Sequence, residues 1–160
     1  MQGVRPHLGF AENGEEAIKF YVSLIPNSRV IDIQRYGEGG PMPAGSLMWA
    51  TFELAGREYS AFDGGPSFTF AEGFSLFVTC DTQDEIDRLW EAFSDSGEEG
   101  QCGWIKDRYG LSWQVVPSAV AEMMAHPEGG DAGRMMQALL KMKKLDIAAL
   151  QAAYEGAPVA

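Results

Sequence analysis

The sequence has few cysteines and few basic residues, and each shortage excludes a class of protein. Cys80 and Cys102 are the two cysteines among 160 residues, too few for a disulfide framework. Lysine and arginine together number 12 against 23 acidic residues, which gives a formal charge of −11. Because a nucleic-acid-binding protein needs a basic surface, we expect no nucleic-acid partner.

Long apolar segments are also missing. No run approaches the roughly 20 apolar residues that span a membrane, and residues 1–10 resemble a strand rather than a signal peptide. We therefore expect a cytoplasmic protein without a membrane partner. Hydrophobic residues make up 46% of the chain, enough for an ordinary core, so we expect a single domain over residues 1–160.

Two segments of the chain repeat one order of elements. The first, residues 1–66, begins with an apolar strand and a helix that Asn13 is expected to cap. The second, residues 74–117, begins with a strand and a helix that Thr82 is expected to cap. Alternating or apolar runs in each segment then predict further strands, at 29–36, 47–54 and 57–62 in the first and at 102–106 and 111–116 in the second. The pattern becomes helical over residues 118–160, which predicts a C-terminal tail.

The two segments also align residue by residue. A shift of 68 places Leu8-Gly9-Phe10 on Leu76-Phe77-Val78, and a shift of 54 places Gly56 on Gly110 and Ser60 on Gln114. The second segment is therefore shorter between its helix and its last hairpin. Such a repeat predicts two similar units whose sheets curl around a common cavity, since pockets form where units meet.

Four stretches resemble a known family. Residues 101–117 (Gln-Cys-Gly-Trp-Ile-Lys-Asp-Arg-Tyr-Gly-Leu-Ser-Trp-Gln-Val-Val-Pro) resemble the signature of the bacterial PhnB-like family, labelled 3-demethylubiquinone-9 3-methyltransferase, of the glyoxalase and bleomycin-resistance (vicinal-oxygen-chelate) superfamily. Three further stretches are similar to other parts of this family. Residues 15–21 resemble its first helix, residues 62–66 resemble the segment that follows its fourth strand, and residues 142–150 resemble its C-terminal tail. The resemblance implies an α+β fold with two βαβββ modules, curved mixed sheets around a pocket, a helical tail, and a homodimer.

Metal-using members of this superfamily place one ligand on the first strand and one on the last strand of each module. The repeat assigns His7 and Ser75 to the first strands, and Ser60 and Gln114 to the last strands. Serine hydroxyls are poor ligands, and a divalent ion needs three or four nitrogen or oxygen donors. We therefore expect no metal and no cofactor, although a weak metal at His7 and Gln114 stays open.

Aromatic residues on the expected strands suggest a different kind of site. An aromatic-lined cavity with a few polar groups suits an apolar or planar organic molecule. The sequence predicts a pocket for such a molecule, lined by His7, Trp49, Ser60, Phe62, Ser75, Trp104, Trp113 and Gln114.

Two residues are candidates for catalysis. Cys102 would lie on an inner strand with Lys106 on the same face, and a nearby positive charge activates a thiol. Asp63 follows the fourth strand in Asp-Gly-Gly. The alternatives are a simply buried thiol for Cys102 and a turn-stabilising carboxylate for Asp63.

The sequence leaves the function open among three hypotheses. The first is a metal-independent enzyme or enzyme-like protein that acts on a small organic molecule. The second is a non-catalytic binding or resistance protein for small molecules. The third is a methyltransferase of the demethylubiquinone type, which rests on the family label alone. The glycine-rich segments 37–45 and 64–65 lack the strand–turn–helix setting that usually holds S-adenosylmethionine.

Overall fold

Each half of the chain forms a four-stranded mixed sheet with a helix packed on one face. The computed structural model describes residues 3–156. The chain divides into two units, Met1–Ala71 and Glu72–Ala160. This arrangement confirms the predicted α+β fold with two βαβββ modules and a helical tail. None of the described helices is long and apolar enough to cross a membrane.

The first unit contains one helix and four strands, in the spatial order β1-β4-β3-β2. β1 pairs in parallel with β4, and the other neighbours are antiparallel. Apolar side chains alternate along β1 and β4, and helix α1 packs on the face that carries Leu8, Phe10 and Ala61. The elements are β1 His7–Phe10, α1 Gly14–Leu24, β2 Arg29–Arg35, β3 Leu47–Leu54 and β4 Arg57–Asp63.

The second unit repeats this order and adds the tail. Its sheet has the order β5-β8-β7-β6, again with the first and last strands parallel. The tail has its own apolar core of Met123, Met135, Leu139, Leu145, Leu150 and Tyr154. The elements are β5 Leu76–Cys80, α2 Gln83–Ser94, β6 Glu98–Glu99, β7 Trp104–Lys106, β8 Ser112–Pro117, α3 Ser118–Ala125, a 3-10 turn Pro127–Gly129, α4 Ala132–Leu139 and α5 Ile147–Glu155.

The two unit helices begin in different ways. Thr82 caps α2 as predicted: its hydroxyl accepts the Glu85 N–H at 3.3 Å, and the Glu85 carboxylate accepts the Thr82 N–H at 3.1 Å. The expectation that Asn13 caps α1 with its side chain is wrong. Asn13 has a left-handed φ of 64° and makes no capping bond. The buried carboxylate of Asp63 instead accepts the Gly14 N–H at 2.9 Å.

Candidate functional site

The face of the first sheet that lies opposite α1 carries most of the first unit's predicted site residues. In the parallel register His7 pairs with Ser60 and Gly9 pairs with Phe62, so all four share this face. Trp49 lies on the neighbouring strand β3, and its ring contacts the His7 ring at 4.8 Å between centroids. The strand alternation thus separates an apolar face under α1 from a mixed face, which we call the open face.

Four rings form a continuous row on the open face. Beyond its contact with Trp49, the His7 ring stacks on the Phe62 ring, with 4.9 Å between the ring centroids and 14° between the ring planes. The Phe62 ring in turn contacts Phe68 edge-on, with 5.0 Å between centroids. Phe68 comes from the connector after β4 and lies against Gly64, where a Cβ would be 2.3 Å from its ring. Trp49 and Phe68 are 37% and 42% exposed, so the row presents ring surface to solvent.

The serine beside His7 orients its imidazole. His7 Nδ1 and Ser60 Oγ are 2.7 Å apart, and Ser60 is only 1% exposed, which makes it inaccessible as a nucleophile. Burial, followed by the charge of Arg5, lowers the pKa of His7 below its usual 6.5. The imidazole is therefore neutral near pH 7. Its Nε2 makes no hydrogen bond within residues 3–156.

A groove of ≈ 940 Å³ lies next to the ring row, where β1 and β4 begin. Arg5 lies 5.9 Å above the Trp49 ring and forms an ion pair with Glu58. We call this depression the β1–β4 groove; its walls are Gly3, Val4, Arg5, Pro6, His7, Trp49, Arg57, Glu58, Tyr59 and Ser60.

The second unit holds an equivalent polar pair. Gln114 Nε2 donates to Ser75 Oγ at 2.9 Å. Trp104 and Phe77 both pair with Gln114 across the sheet, and Phe77 is 59% exposed. This face therefore also combines a hydrogen-bonded polar pair with aromatic neighbours.

The structure corrects the placement of Trp113. Its ring is buried and stacks on Phe93 of α2 at 4.6 Å, while Nε1 donates to the buried Asp107 carboxylate at 2.9 Å. Adjacent residues of a strand point to opposite faces. Trp113 therefore lies on the helix side of its sheet, and Gln114 lies on the other side.

His7, Ser60, Ser75 and Gln114, the four residues considered above as metal ligands, do not fit a divalent ion. Their side chains hydrogen-bond to each other in two pairs, His7 with Ser60 and Gln114 with Ser75. Two of the four donors are neutral hydroxyls, and none is a carboxylate. The part of the chain that the structure describes contains no group of three His, Cys, Asp or Glu side chains placed to hold a metal.

The expected strand position of Cys102 is wrong. Cys102 has a left-handed φ of 60°, its N–H donates to Met142 O at 2.7 Å, and β7 begins two residues later. Its side chain packs against the tail's apolar core. Lys106 instead forms an ion pair with Glu72 at 2.7 Å. These contacts match the inert, packed thiol rather than an activated one.

The other catalytic candidate, Asp63, has a structural position. Both of its carboxylate oxygens accept backbone N–H groups, from Gly14 at 2.9 Å and from Leu47 at 2.8 Å. It therefore connects the start of α1 to the start of β3, on the side of the sheet away from the ring row.

Sequence reasoning missed three residues of this region. Phe68 lies in a connector without periodicity, and Arg5 and Arg57 lie at strand ends where exposed charges are ordinary. The closest signal for Phe68 was the pair Gly64-Gly65, which leaves room for a ring.

Residues 2–116 match the family model described as 3-demethylubiquinone-9 3-methyltransferase. Among solved structures, the Bacillus cereus protein described as a PhnB protein is 36% identical, with a TM-score of 0.70 over 73% of this chain and 100% of its own. No match is found among curated proteins.

Two further structures share the fold at lower identity. A Pseudomonas aeruginosa protein is 23% identical, with a TM-score of 0.60 over 73% of this chain and 98% of its own. The fosfomycin resistance protein FosX of Listeria monocytogenes, solved with Mn(II), is 13% identical, with a TM-score of 0.51 over 72% of this chain and 92% of its own. The chain thus has the fold of the glyoxalase and fosfomycin-resistance proteins.

Proposed function

Because the chain belongs to the family described as 3-demethylubiquinone-9 3-methyltransferase, we propose that it binds a small organic molecule on the open face of its first sheet. The observation that carries this proposal is the ring row Trp49–His7–Phe62–Phe68. Exposed ring surface costs free energy in water, and a flat organic ligand would cover it. The oriented, neutral His7 supplies the polar contact that fixes the ligand's position.

The proposed binding is independent of a metal. The positions that hold metal ligands in the superfamily carry His7, Ser60, Ser75 and Gln114, a donor set without a carboxylate. Ligand contacts would come from rings and from neutral hydrogen-bonding groups. Binding should therefore survive treatment with EDTA.

A thermal-shift screen tests the proposal with quinones, glycopeptide drugs and S-adenosylmethionine as probes. We expect a quinone to raise the melting temperature of the wild type, and Phe68→Ala to lose that shift because the ring row is shortened. Phe20→Ala is the matched control, since Phe20 lies on helix α1 away from the open face. A shift that persists in Phe68→Ala, or that disappears with EDTA, would contradict the proposal.

Methyl transfer is a second candidate, which the printed description of the family favours. The structure offers little for it: segment 37–45 connects two antiparallel strands, and 64–65 is followed by a connector rather than a helix. Neither places a glycine turn at a helix N-terminus, where a nucleotide-like cofactor is usually held. Stabilisation by S-adenosylmethionine in the same screen would favour methyl transfer over simple binding.

We further propose that the protein is a cytoplasmic homodimer. Exposed apolar side chains such as Phe74 and Phe77 support association. Light scattering after size-exclusion chromatography should give twice the mass of 17.5 kDa, and a monomer across micromolar concentrations would contradict this.

A further inference from the structure

Two residues, His7 and Trp49, belong both to the ring row and to the β1–β4 groove. His7 is exposed, whereas Ser60, its hydrogen-bond partner, is buried. The hydrogen bond to Ser60 occupies Nδ1 of the imidazole and leaves Nε2 without a partner within residues 3–156. A molecule that lies against the row and enters the groove therefore finds one free ring nitrogen, Nε2 of His7.

The Ser60 hydroxyl determines which nitrogen of His7 carries the proton. Ser60 Oγ lies 2.7 Å from His7 Nδ1, and this hydroxyl has no other partner among the described residues. If Nδ1 carried the proton, the buried Ser60 O–H would have no acceptor, which costs free energy. The hydroxyl therefore donates to Nδ1, and a neutral imidazole that accepts at Nδ1 carries its proton at Nε2. His7 thus presents a hydrogen-bond donor on the open face.

The groups around this donor favour an uncharged ligand. Trp49 Nε1, the other ring N–H of the row, already donates to Thr51 Oγ1 at 3.2 Å. Arg5, which lies over the Trp49 ring, is paired with the Glu58 carboxylate, so neither charge is free for a ligand. The register of β3 with β4 places Arg57 on the α1 side of the sheet, away from the row. The polar contact that remains is the neutral N–H of His7.

We propose that the open face selects an uncharged planar aromatic molecule with a carbonyl oxygen at its edge. The carbonyl oxygen accepts the Nε2–H of His7, while the aromatic rings lie against the row that begins at Trp49. A molecule with an N–H in that position is disfavoured, because two donors would then face each other. This inference rests on the proposed function and names the chemical class of its ligand, which is that of aromatic ketones and quinones.

The position of the His7 proton is tested by nitrogen-15 NMR of the imidazoles. The chain has two histidines, so the spectrum of His126→Phe assigns the signals of His7. We expect the neutral His7 ring of the wild type to carry its proton on Nε2. A proton on Nδ1 would overturn the proposal, because Nε2 would then be an acceptor.

Three planar tricyclic probes test the selection by equilibrium dialysis. The probes share one ring system: 9-fluorenone carries a hydrogen-bond acceptor, carbazole carries a donor, and fluorene carries neither. We expect the wild type to bind 9-fluorenone at least about tenfold more tightly than carbazole, because carbazole leaves both its own N–H and that of His7 unpaired.

His7→Phe combined with Ser60→Ala removes the donor and keeps a ring in the row. The second change is needed because Phe would leave the buried Ser60 hydroxyl without a partner. The preference for 9-fluorenone over carbazole should fall below about threefold, while fluorene should bind within about twofold of its wild-type affinity. The matched control, His126→Phe combined with Ser23→Ala, makes the same replacements at exposed positions and should keep the preference. Circular dichroism verifies that both variants fold.

The same titrations separate this inference from the proposed function. If 9-fluorenone and carbazole bind the wild type equally and Trp49→Ala weakens both, the proposed function stands and the selection for a carbonyl is wrong. A preference that survives the loss of His7 would also overturn the selection. If no probe binds up to its solubility limit, or if Trp49→Ala changes nothing, both proposals fail.

Discussion

Asp63 joins two elements of the first unit through its side chain. Its buried carboxylate accepts the backbone N–H groups of Gly14 and Leu47. Asp63→Ala leaves both donors unpaired, so we expect a loss of about 2–4 kcal/mol in the free energy of unfolding, measured by urea denaturation. Asp32→Ala, on an exposed position of β2, should change stability by less than about 0.5 kcal/mol. Wild-type stability in the Asp63 variant would contradict its structural role.

His7 should titrate below the usual histidine range. Burial and the Arg5 charge lower its pKa from 6.5, so the unfolded chain binds a proton at higher pH than the folded chain does. The contribution of His7 to stability is therefore full above pH 6.5 and falls as the pH decreases toward the folded pKa. NMR titration of the His7 ring should give a midpoint below 6.5, and Arg5→Gln should raise it. An unchanged midpoint in Arg5→Gln would exclude the electrostatic contribution.

Helix α1 is connected to strand β2 by one carboxylate. Glu15 accepts hydrogen bonds from Arg35 at 2.6 Å and from Lys19 at 2.6 Å, which lower its pKa to about 2. Its stabilising effect is present above pH 4.5 and lost as the pH falls toward 2. Because both partners are half exposed, we expect only about 0.5–1 kcal/mol.

The Glu15 prediction is tested by acid denaturation. Glu15→Gln should lose that amount at pH 7 and show a smaller stability decrease between pH 4.5 and 2 than the wild type. Glu38→Gln, at an exposed position of the loop between β2 and β3, is the control. Parallel stability curves for Glu15→Gln and the wild type would contradict the prediction.

Two side chains of α2 connect it to the tail, since Asp87 forms an ion pair with Lys144 at 2.6 Å and Gln83 makes hydrogen bonds. Gln83 Nε2 donates to Leu145 O at 3.1 Å, and its Oε1 accepts the Ile147 N–H at 2.9 Å. Gln83→Ala removes both bonds to the tail, at about 1 kcal/mol each, together with a bond to Asp87 within α2. Hydrogen exchange should become faster in residues 145–154, and Gln151→Ala, which loses only a bond to Glu155, should leave those amides protected. Unchanged exchange in Gln83→Ala would mean that the tail's apolar core and the Lys144–Asp87 ion pair hold it without Gln83.

For the whole molecule, the excess of acidic residues predicts its colloidal behaviour. The isoelectric point is ≈ 4.5, and proteins associate where their net charge approaches zero. Solubility measured by turbidity should therefore pass through a minimum near pH 4.5 and recover at pH 7. High solubility throughout that range would show that charge does not govern association here.

Much of the fold follows from local patterns. β3 has its predicted bounds because turns flank an apolar run on both sides. The role of Thr82 as the N-cap of α2 was predicted correctly because a capping box involves only residues close in sequence. β6 was missed because two glutamates carry no alternation. Cys102 was misplaced because a left-handed φ at a non-glycine residue leaves no trace in sequence.

The polar residues of the site were predictable where the repeat reached them, and Trp49 and Phe62 from the aromatic content of the strands. The repeat identified His7 with Ser60 and Ser75 with Gln114, since the first and last strands of each unit are parallel neighbours. It could not say which face α2 covers, so Trp113 was placed with Gln114. The shared cavity between the halves stays a prediction.

The different starts of the two helices have a consequence for the order of folding. Thr82 and Glu85 are three residues apart, so α2 can nucleate as soon as its first turn is made. α1 waits for Asp63, which is 49 residues from Gly14, and closing that loop costs entropy before the contact repays it. During synthesis, we therefore expect the helix of the half that is made first to lack this bond at its start until β4 has followed.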